Sequence, residues 1–218
     1  MLSFTEENYL KALLILTQEN EDEKAGTNSL AANLGVKPAT VNDMLKKLKE
    51  KNLINYEKYQ KITLTNEGKK SAIKVIRKHR LWETFLYEKL DFTWDEVHEV
   101  AEQLEHVHSE KLLEQLDKFL GFPKFDPHGD PIPDRSGKIY ALKTIPLSEA
   151  VINKKYKLVG VCNHSVTFLQ FLEKTGLVIN NTIEVKEIQE FDRSMIVSIK
   201  NKIQTILSNE VTQNLLVI

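Results

Sequence analysis

SLAANLGVKPATVNDMLKKLKEKNLINYEKYQKITL, residues 29–64, decides the fold of the N-terminal part of this chain. Thr27 or Asn28 can cap a first short helix, and Gly35 stops it. Pro38 opens a second helix that runs to about residue 51, as proline at a first helical position should. Val41, Met44, Leu45 and Leu48 form its apolar stripe, which leaves Thr40, Asn42, Asp43, Lys46 and Lys47 facing outward. Residues 53–56 and 62–64 read as two strands around the turn EKYQK, a small wing tipped by Lys58, Tyr59, Gln60 and Lys61. The order short helix, tight turn, longer helix, hairpin is that of a winged helix-turn-helix. The alternative is a small α/β module that binds nothing, or only protein.

Charge favours a nucleic-acid partner. The chain carries a formal net charge of only -1, but residues 37–80 hold 13 Lys/Arg against 4 Asp/Glu. Residues 81–120 reverse the sign, with 3 against 11. A basic segment joined to an acidic one points to an anionic partner for the first and cations for the second. Within the winged helix, Pro38, Ala39, Thr40, Asn42 and Asp43 stand where base edges would be read. Lys46, Lys47, Lys58 and Lys61 suit phosphates.

Outward from this module, residues 4–20 repeat apolar positions at helical spacing through Tyr9, Leu10, Leu13, Leu14 and Leu16. Residues 65–90 read as a long helix capped by Thr65 or Asn66. Residues 92–119 read as another. Long helices after a winged helix suit a dimer interface, and readers of two-fold symmetric DNA are dimers. GFPKFDPHGDPIPDRSG, residues 121–137, breaks helical structure with four prolines and three glycines. Beyond it, short strand-like runs at 157–161, 182–188, 194–199 and 203–207, with one helical run at 166–174, suggest a small barrel. The expected architecture is mainly α with β, in three modules: residues 1–65, 66–140 and 144–218.

The second chemically loaded stretch is HEVAEQLEH, residues 98–106. On a continuous helix His98, Glu102, Glu105 and His106 share one face, opposite Val97, Val100, Ala101, Leu104 and Val107. Two imidazoles and two carboxylates on one face suit a divalent transition ion. The plain alternative is a solvated polar face.

Several classes are set aside by what is missing. HExxH and HxxEH are absent, as are the serine elbow, the phosphate loop and the dinucleotide fingerprint, so a metal-dependent hydrolase is the weaker reading. The one cysteine, Cys162, permits no internal disulfide and fits a reducing cytoplasm. No signal peptide or membrane span is expected. A winged-helix regulator that senses an organic ligand or a partner protein stays as the runner-up.

Taken together, the winged helix, His79-x-x-x-Glu83, His98, Glu102-x-x-Glu105-His106 and the PHGDPIP loop resemble the diphtheria-toxin-repressor (DtxR/MntR) family of metal-dependent regulators. The three-domain, manganese-responsive branch is the most similar. The resemblance implies a homodimer on palindromic double-stranded DNA, a helical dimerisation domain and a C-terminal SH3-like (FeoA-type) barrel. It implies a primary metal site of Asn8, Glu102, Glu105 and His106, with Asn8 where the family usually has Asp or Met. It implies a second site of His79, Glu83 and His98, or a variant that draws on the loop. In that variant Asp126 stands where the branch has Cys, beside His128, and His164 of the barrel adds a ligand. Of the chain's six histidines only His108 falls outside these positions. The donors are oxygen and imidazole nitrogen, which suits Mn²⁺ first and Fe²⁺ next rather than a structural Zn²⁺.

Overall fold

The computed structural model describes residues 2–18, 25–57, 61–200 and 203–218. These group into two compact units. The first comprises Met1–His79, Gln103–Glu110 and Pro133–Lys138, and the second Arg80–Glu102, Lys111–Ile132 and Ile139–Ile218.

In the first unit, helices α1 (Phe4–Gln18), α2 (Thr27–Asn33) and α3 (Pro38–Glu50) precede strands β1 (Ile54–Asn55) and β2 (Thr63–Leu64). Gly35 turns α2 into α3 with φ +63°, a conformation that costs glycine nothing. Pro38 begins α3 as expected. β1 and β2 pair antiparallel, Ile54 opposite Leu64, and Ala25 bridges to Ile62 as a third edge. Leu10 and Leu13 of α1, Leu30 of α2, and Val41, Leu45 and Leu48 of α3 are fully buried in one core with Ile62. Ala72 and Ile76 from the first half of α4 (Asn66–Lys89) complete it. Thr65 caps α4, its Oγ1 accepting from the Gly68 amide at 3.1 Å. The wing-tip residues Lys58, Tyr59 and Gln60 lie outside the described residues.

The helix expected over residues 92–119 is two helices, α5 (Val97–Leu104) and α6 (Glu110–Phe119). The chain leaves α5 through a tight turn, with the Val107 amide bonded to the Leu104 carbonyl at 3.1 Å. The cause is local: Glu105 and His106, adjacent in sequence, are both buried on polar partners. The shared face inferred for residues 98–106 therefore ends at Leu104.

In the second unit, strands β3 (Ile145–Pro146), β4 (Lys155–Val161), β5 (Thr182–Ile188), β6 (Met195–Ile199), β7 (Ile203–Leu207) and β8 (Leu215–Val217) form one antiparallel sheet. Its order is β3-β8-β4-β5-β6-β7. Alternate residues Ile183, Val185, Val197, Ile199, Leu215 and Val217 point into its core, which Leu169 and Leu172 of α7 (Val166–Thr175) close. The short helix α8 (Asn209–Gln213), capped by Ser208, leads into β8. β3, α8 and β8 are too short to have shown a period in the sequence. Among the described residues no helix is long and apolar enough to cross a membrane.

Candidate metal centres

The first cluster belongs to the first unit. Glu7 and Lys11 stand one turn apart on α1, at i and i+4, and Asn8 lies three residues before Lys11, at the edge of the same face. That face meets the turn after α5. His106 Nδ1 lies 2.6 Å from Glu7 Oε2. A carboxylate only accepts, so Nδ1 carries the proton and Nε2 is left as the ligand atom. Phe4 stacks on the ring at 4.6 Å between centroids. Glu105 has no solvent exposure. Its Oε2 accepts from Lys11 Nζ at 2.8 Å and faces His79 Nδ1 at 2.6 Å. Its Oε1 has no hydrogen-bond partner and lies 3.9 Å from His106 Nε2. Asn8 Oδ1 is likewise buried without a hydrogen-bond partner.

Buried acceptors are nearly always satisfied, and leaving one unmade costs about 1–3 kcal/mol. Two orphaned oxygens and one imidazole nitrogen are a donor set that a cation completes. Glu105 Oε1 and His106 Nε2, 3.9 Å apart, therefore suit a divalent metal, and Asn8, next to Glu7 on α1, brings a further unpartnered oxygen. Glu7, Lys11 and His79 hold those ligands from behind, as outer partners do in metal sites. Glu102, expected in the same set, lies in the second unit on the last turn of α5, with Oε1 3.5 Å from His98 Nε2.

The second cluster belongs to the second unit. Glu83, Asp126 and His128 each offer a ligand atom within 4.8 Å of the others, and all three are buried. His128 Nε2 lies 3.0 Å from the Trp94 carbonyl. That oxygen can only accept, so Nε2 is protonated and Nδ1, 3.9 Å from Glu83 Oε2, is the ligand atom. The loop is pinned to the sheet. Val161 donates to the His128 carbonyl at 3.0 Å, and Gly129 sits at φ +91°, where an added Cβ would meet the Val159 carbonyl oxygen at 2.0 Å. Asp126 Oδ1 accepts from the amides of His128 and Asp130 at 2.8 and 3.0 Å, while Oδ2 has no hydrogen-bond partner. Arg80 Nε stands 3.7 Å from Oδ2.

Electrostatics follow from this crowding. Burial, then Glu83 and Asp130, holds the Asp126 carboxyl well above the usual carboxylate range. Burial pushes the His128 imidazole down, against the opposing pull of Glu83. His98 Nδ1 lies 3.1 Å from Glu83 Oε1, and bonding to Glu102 and Glu83 pushes its pKa up to about 9. His164 is exposed on the loop after β4, its ring 5.0 Å from that of His128. Glu83, His98, Asp126, His128 and His164 thus all belong to the second unit. His79, Glu83 and His98, the trio expected as the second site, are also a group that could hold a metal ion, and His79 Nδ1 faces Glu105 Oε2 at 2.6 Å. Glu7 and Lys11 were missed by sequence reasoning, because a Glu–Lys pair at i, i+4 reads as a surface ion pair.

On α3, Pro38, Ala39, Thr40, Asp43, Lys46 and Lys47 are exposed, and so is Lys61 at the start of the returning wing strand. Asn42 is half-buried, its Oδ1 accepting from the Tyr56 hydroxyl at 2.9 Å. Asp43 and Lys46 pair on the exposed face at 3.1 Å.

Comparison with known proteins bears on the fold and the family. Residues 1–62 match the family model of the iron dependent repressor N-terminal DNA binding domain. Residues 65–134 match its metal binding and dimerisation domain, and residues 145–218 match the FeoA domain. A solved manganese-dependent transcriptional repressor in complex with manganese is similar over 98% of this chain and 99% of its own, at 31% identity and a TM-score of 0.85. An uncharacterized HTH-type transcriptional regulator of Methanocaldococcus jannaschii is 38% identical over 114 residues, 52% of this chain and 90% of that protein. A probable metal transport system membrane protein of Chlamydia trachomatis is 42% identical over 89 residues, 41% of this chain, which spans only 20% of that protein's length. With its two repressor domains matched and its whole length superposing on a solved repressor, the chain belongs to the diphtheria-toxin-repressor family of metal-dependent transcriptional regulators.

Proposed function

We propose that this protein is a transcriptional repressor of metal-homeostasis genes that binds DNA when loaded with a divalent cation, Mn²⁺ first and Fe²⁺ next. The observation that carries the reading is the pair of buried, unpartnered oxygens, Asn8 Oδ1 and Glu105 Oε1, with His106 oriented by Glu7. Glu83, Asp126 and His128 hold a second ion, with His98 and His164 at its margin. All donors are oxygen or imidazole nitrogen, which favours Mn²⁺ and Fe²⁺ over sites built on thiolate. Manganese in the similar solved repressor and iron in the family's description support the same pair of metals.

Asn8 stands on α1, and Glu105 with His106 on the turn after α5. A cation shared by these residues is bound more tightly in the arrangement that keeps α1 against that turn. By linkage that arrangement gains population as metal rises. The repressor acts by binding rather than catalysis, in the cytoplasm, through a DNA-binding module (1–65), a dimerisation module (66–140) and a C-terminal barrel (144–218). Its partner in the dimer is a second copy. Trp82, Phe85, Leu112, Leu116 and Phe119 line an apolar groove of about 610 Å³ with Phe119 largely exposed, a surface that a second copy would cover. For DNA contact the reading assigns Pro38, Ala39, Thr40, Asn42 and Asp43 to bases and Lys46, Lys47 and Lys61 to phosphates, together with Lys58, which lies outside the described residues.

Fluorescence anisotropy on labelled promoter DNA, at fixed salt, tests this. We expect no specific binding with chelator, tight binding with Mn²⁺, and binding with Fe²⁺ under anaerobic conditions. His106→Ala should lose the metal response while keeping its circular dichroism. Equal binding with chelator and with metal would leave a winged-helix protein that does not sense metal.

A further inference from the structure

One charged group in the first cluster is neither a ligand nor a DNA contact. Lys11 is a lysine with only 11% of its side chain exposed, and its Nζ sits 2.8 Å from Glu105 Oε2. It shares that oxygen with His79, on a carboxylate with no exposure at all. The nearby Glu7 carboxylate has its own ammonium, Lys78 Nζ at 3.7 Å. The charge of each buried carboxylate is thus already matched within the fold. The face that offers Asn8 Oδ1 also carries Lys11 one turn on, and Asn8 itself brings no charge.

The consequence is a site with three candidate ligand atoms but little net negative charge. Like charges brought together in a partly desolvated site repel far more strongly than in water. A divalent ion on Glu105 Oε1 would stand across one carboxylate from the Lys11 ammonium. Resting on the metal reading above, we infer that Lys11 is a positioning residue and internal cation that lowers the affinity of the Asn8–Glu105–His106 site for divalent metal. It thereby sets the free-metal concentration at which the site fills. Lys11 holds Glu105 Oε2 so that Oε1 is presented, and its charge weakens what Oε1 binds.

The test is an Mn²⁺ titration followed by electron paramagnetic resonance on the full chain without DNA, with metal-free melting temperature as the second readout. The class of bound Mn²⁺ absent from Glu105→Gln is assigned to this site. If Glu105→Gln loses no class, the site reading itself fails. If that class is lost, Lys11→Gln should bind it about tenfold more tightly or better, the scale of one relieved like-charge contact. Lys11→Arg, which keeps the charge, should stay within about threefold of the wild type, less than half of that effect on the free-energy scale. Metal-free Lys11→Gln should melt lower than the wild type, because Glu105 has lost its cation, and the gain in melting temperature on adding Mn²⁺ should widen. Should Lys11→Gln not fold without metal, Lys11→Met, which fills the same channel, is read in its place. Unchanged or weaker Mn²⁺ binding in the neutral variants would make Lys11 a structural ion pair only and overturn the inference.

Discussion

The two metal-ligand clusters solve one problem in different ways. Both bury carboxylates away from water, which is unfavourable unless their charge is matched. In the first cluster the match is made by tethered ammonium groups, Lys11 on Glu105 and Lys78 near Glu7. In the second it is shared between a tethered guanidinium, Arg80 at 3.7 Å from Asp126 Oδ2, and protons. His98 holds one against Glu83, and the Asp126 carboxyl, crowded by Glu83 and Asp130, is pushed toward keeping its own. A tethered ammonium stays within the site when a cation arrives, whereas a proton leaves to solvent. The first cluster is therefore suited to a threshold, and the second to a firmly held ion whose uptake depends on pH.

The largest effect that separates the two is on DNA binding. Glu105→Gln removes a charged ligand that joins the turn after α5 to α1, and should weaken metal-dependent operator binding by about a hundredfold or more, the upper range for damage to a metal site. Asp126→Asn alters a cluster that does not include α1, and should leave that response within about tenfold of the wild type. Anisotropy on one operator at saturating Mn²⁺ compares them. Equal losses in both variants would mean that the two clusters act as one switch.

Gly129→Ala sharpens the contrast through backbone rather than charge. The added Cβ would meet the Val159 carbonyl oxygen at 2.0 Å, at a φ of +91° that side chains avoid. The loop must then lift from β4, taking Asp126 and His128 with it. We expect a loss of about 2 kcal/mol or more in urea unfolding, typical of strain at a special backbone position. Mn²⁺ stoichiometry should fall while the class assigned to Glu105 survives. If both classes were retained at wild-type affinity, the seating of Gly129 on β4 would have no part in holding the second ion.

Much of this was legible in the chain. Gly35, Pro38 and the Val41–Leu45–Leu48 stripe specify the helix-turn-helix because turn chemistry and helical period agree there. The strands with clear alternation, such as β5, declared themselves, while the two- and three-residue strands did not. The break at Glu105 was hidden for a physical reason. Periodicity registers where apolar residues fall, and residues 104–116 keep an apolar rhythm across a turn made by buried polar side chains. Lys11 and Glu7 were hidden differently. A lysine and a glutamate one turn apart on a helix look like a surface ion pair, and only tertiary structure reveals that each turns inward to a different partner. His79 was legible in part: its spacing to Glu83 names a group that could hold a metal ion, while its contact with Glu105 follows only from the fold.

The smallest expected effect tests the proton half of the comparison. Asp126 and His98 both have raised pKa values in the fold, so the native state binds more protons than the unfolded chain over the intervening range. These two groups therefore make the stability of the metal-free protein fall as pH rises, against the opposite contribution of His128, whose imidazole is pushed down. The contribution of Asp126 is present below the ordinary carboxylate range and is lost as pH climbs through its raised value. That of His98 is present below its ordinary value of 6.5 and is lost on the way to about 9. The His98 side chain is half exposed, so solvent screening reduces its share to about 1 kcal/mol. Urea unfolding in chelator at pH 6 and pH 9 should show the wild type losing stability and His98→Gln losing less by about that amount. Asp126→Asn should remove the loss that begins at lower pH. An identical pH profile in His98→Gln would mean that a group other than His98 balances Glu83, and the contrast between tethered cations and exchangeable protons would then rest on Asp126 alone.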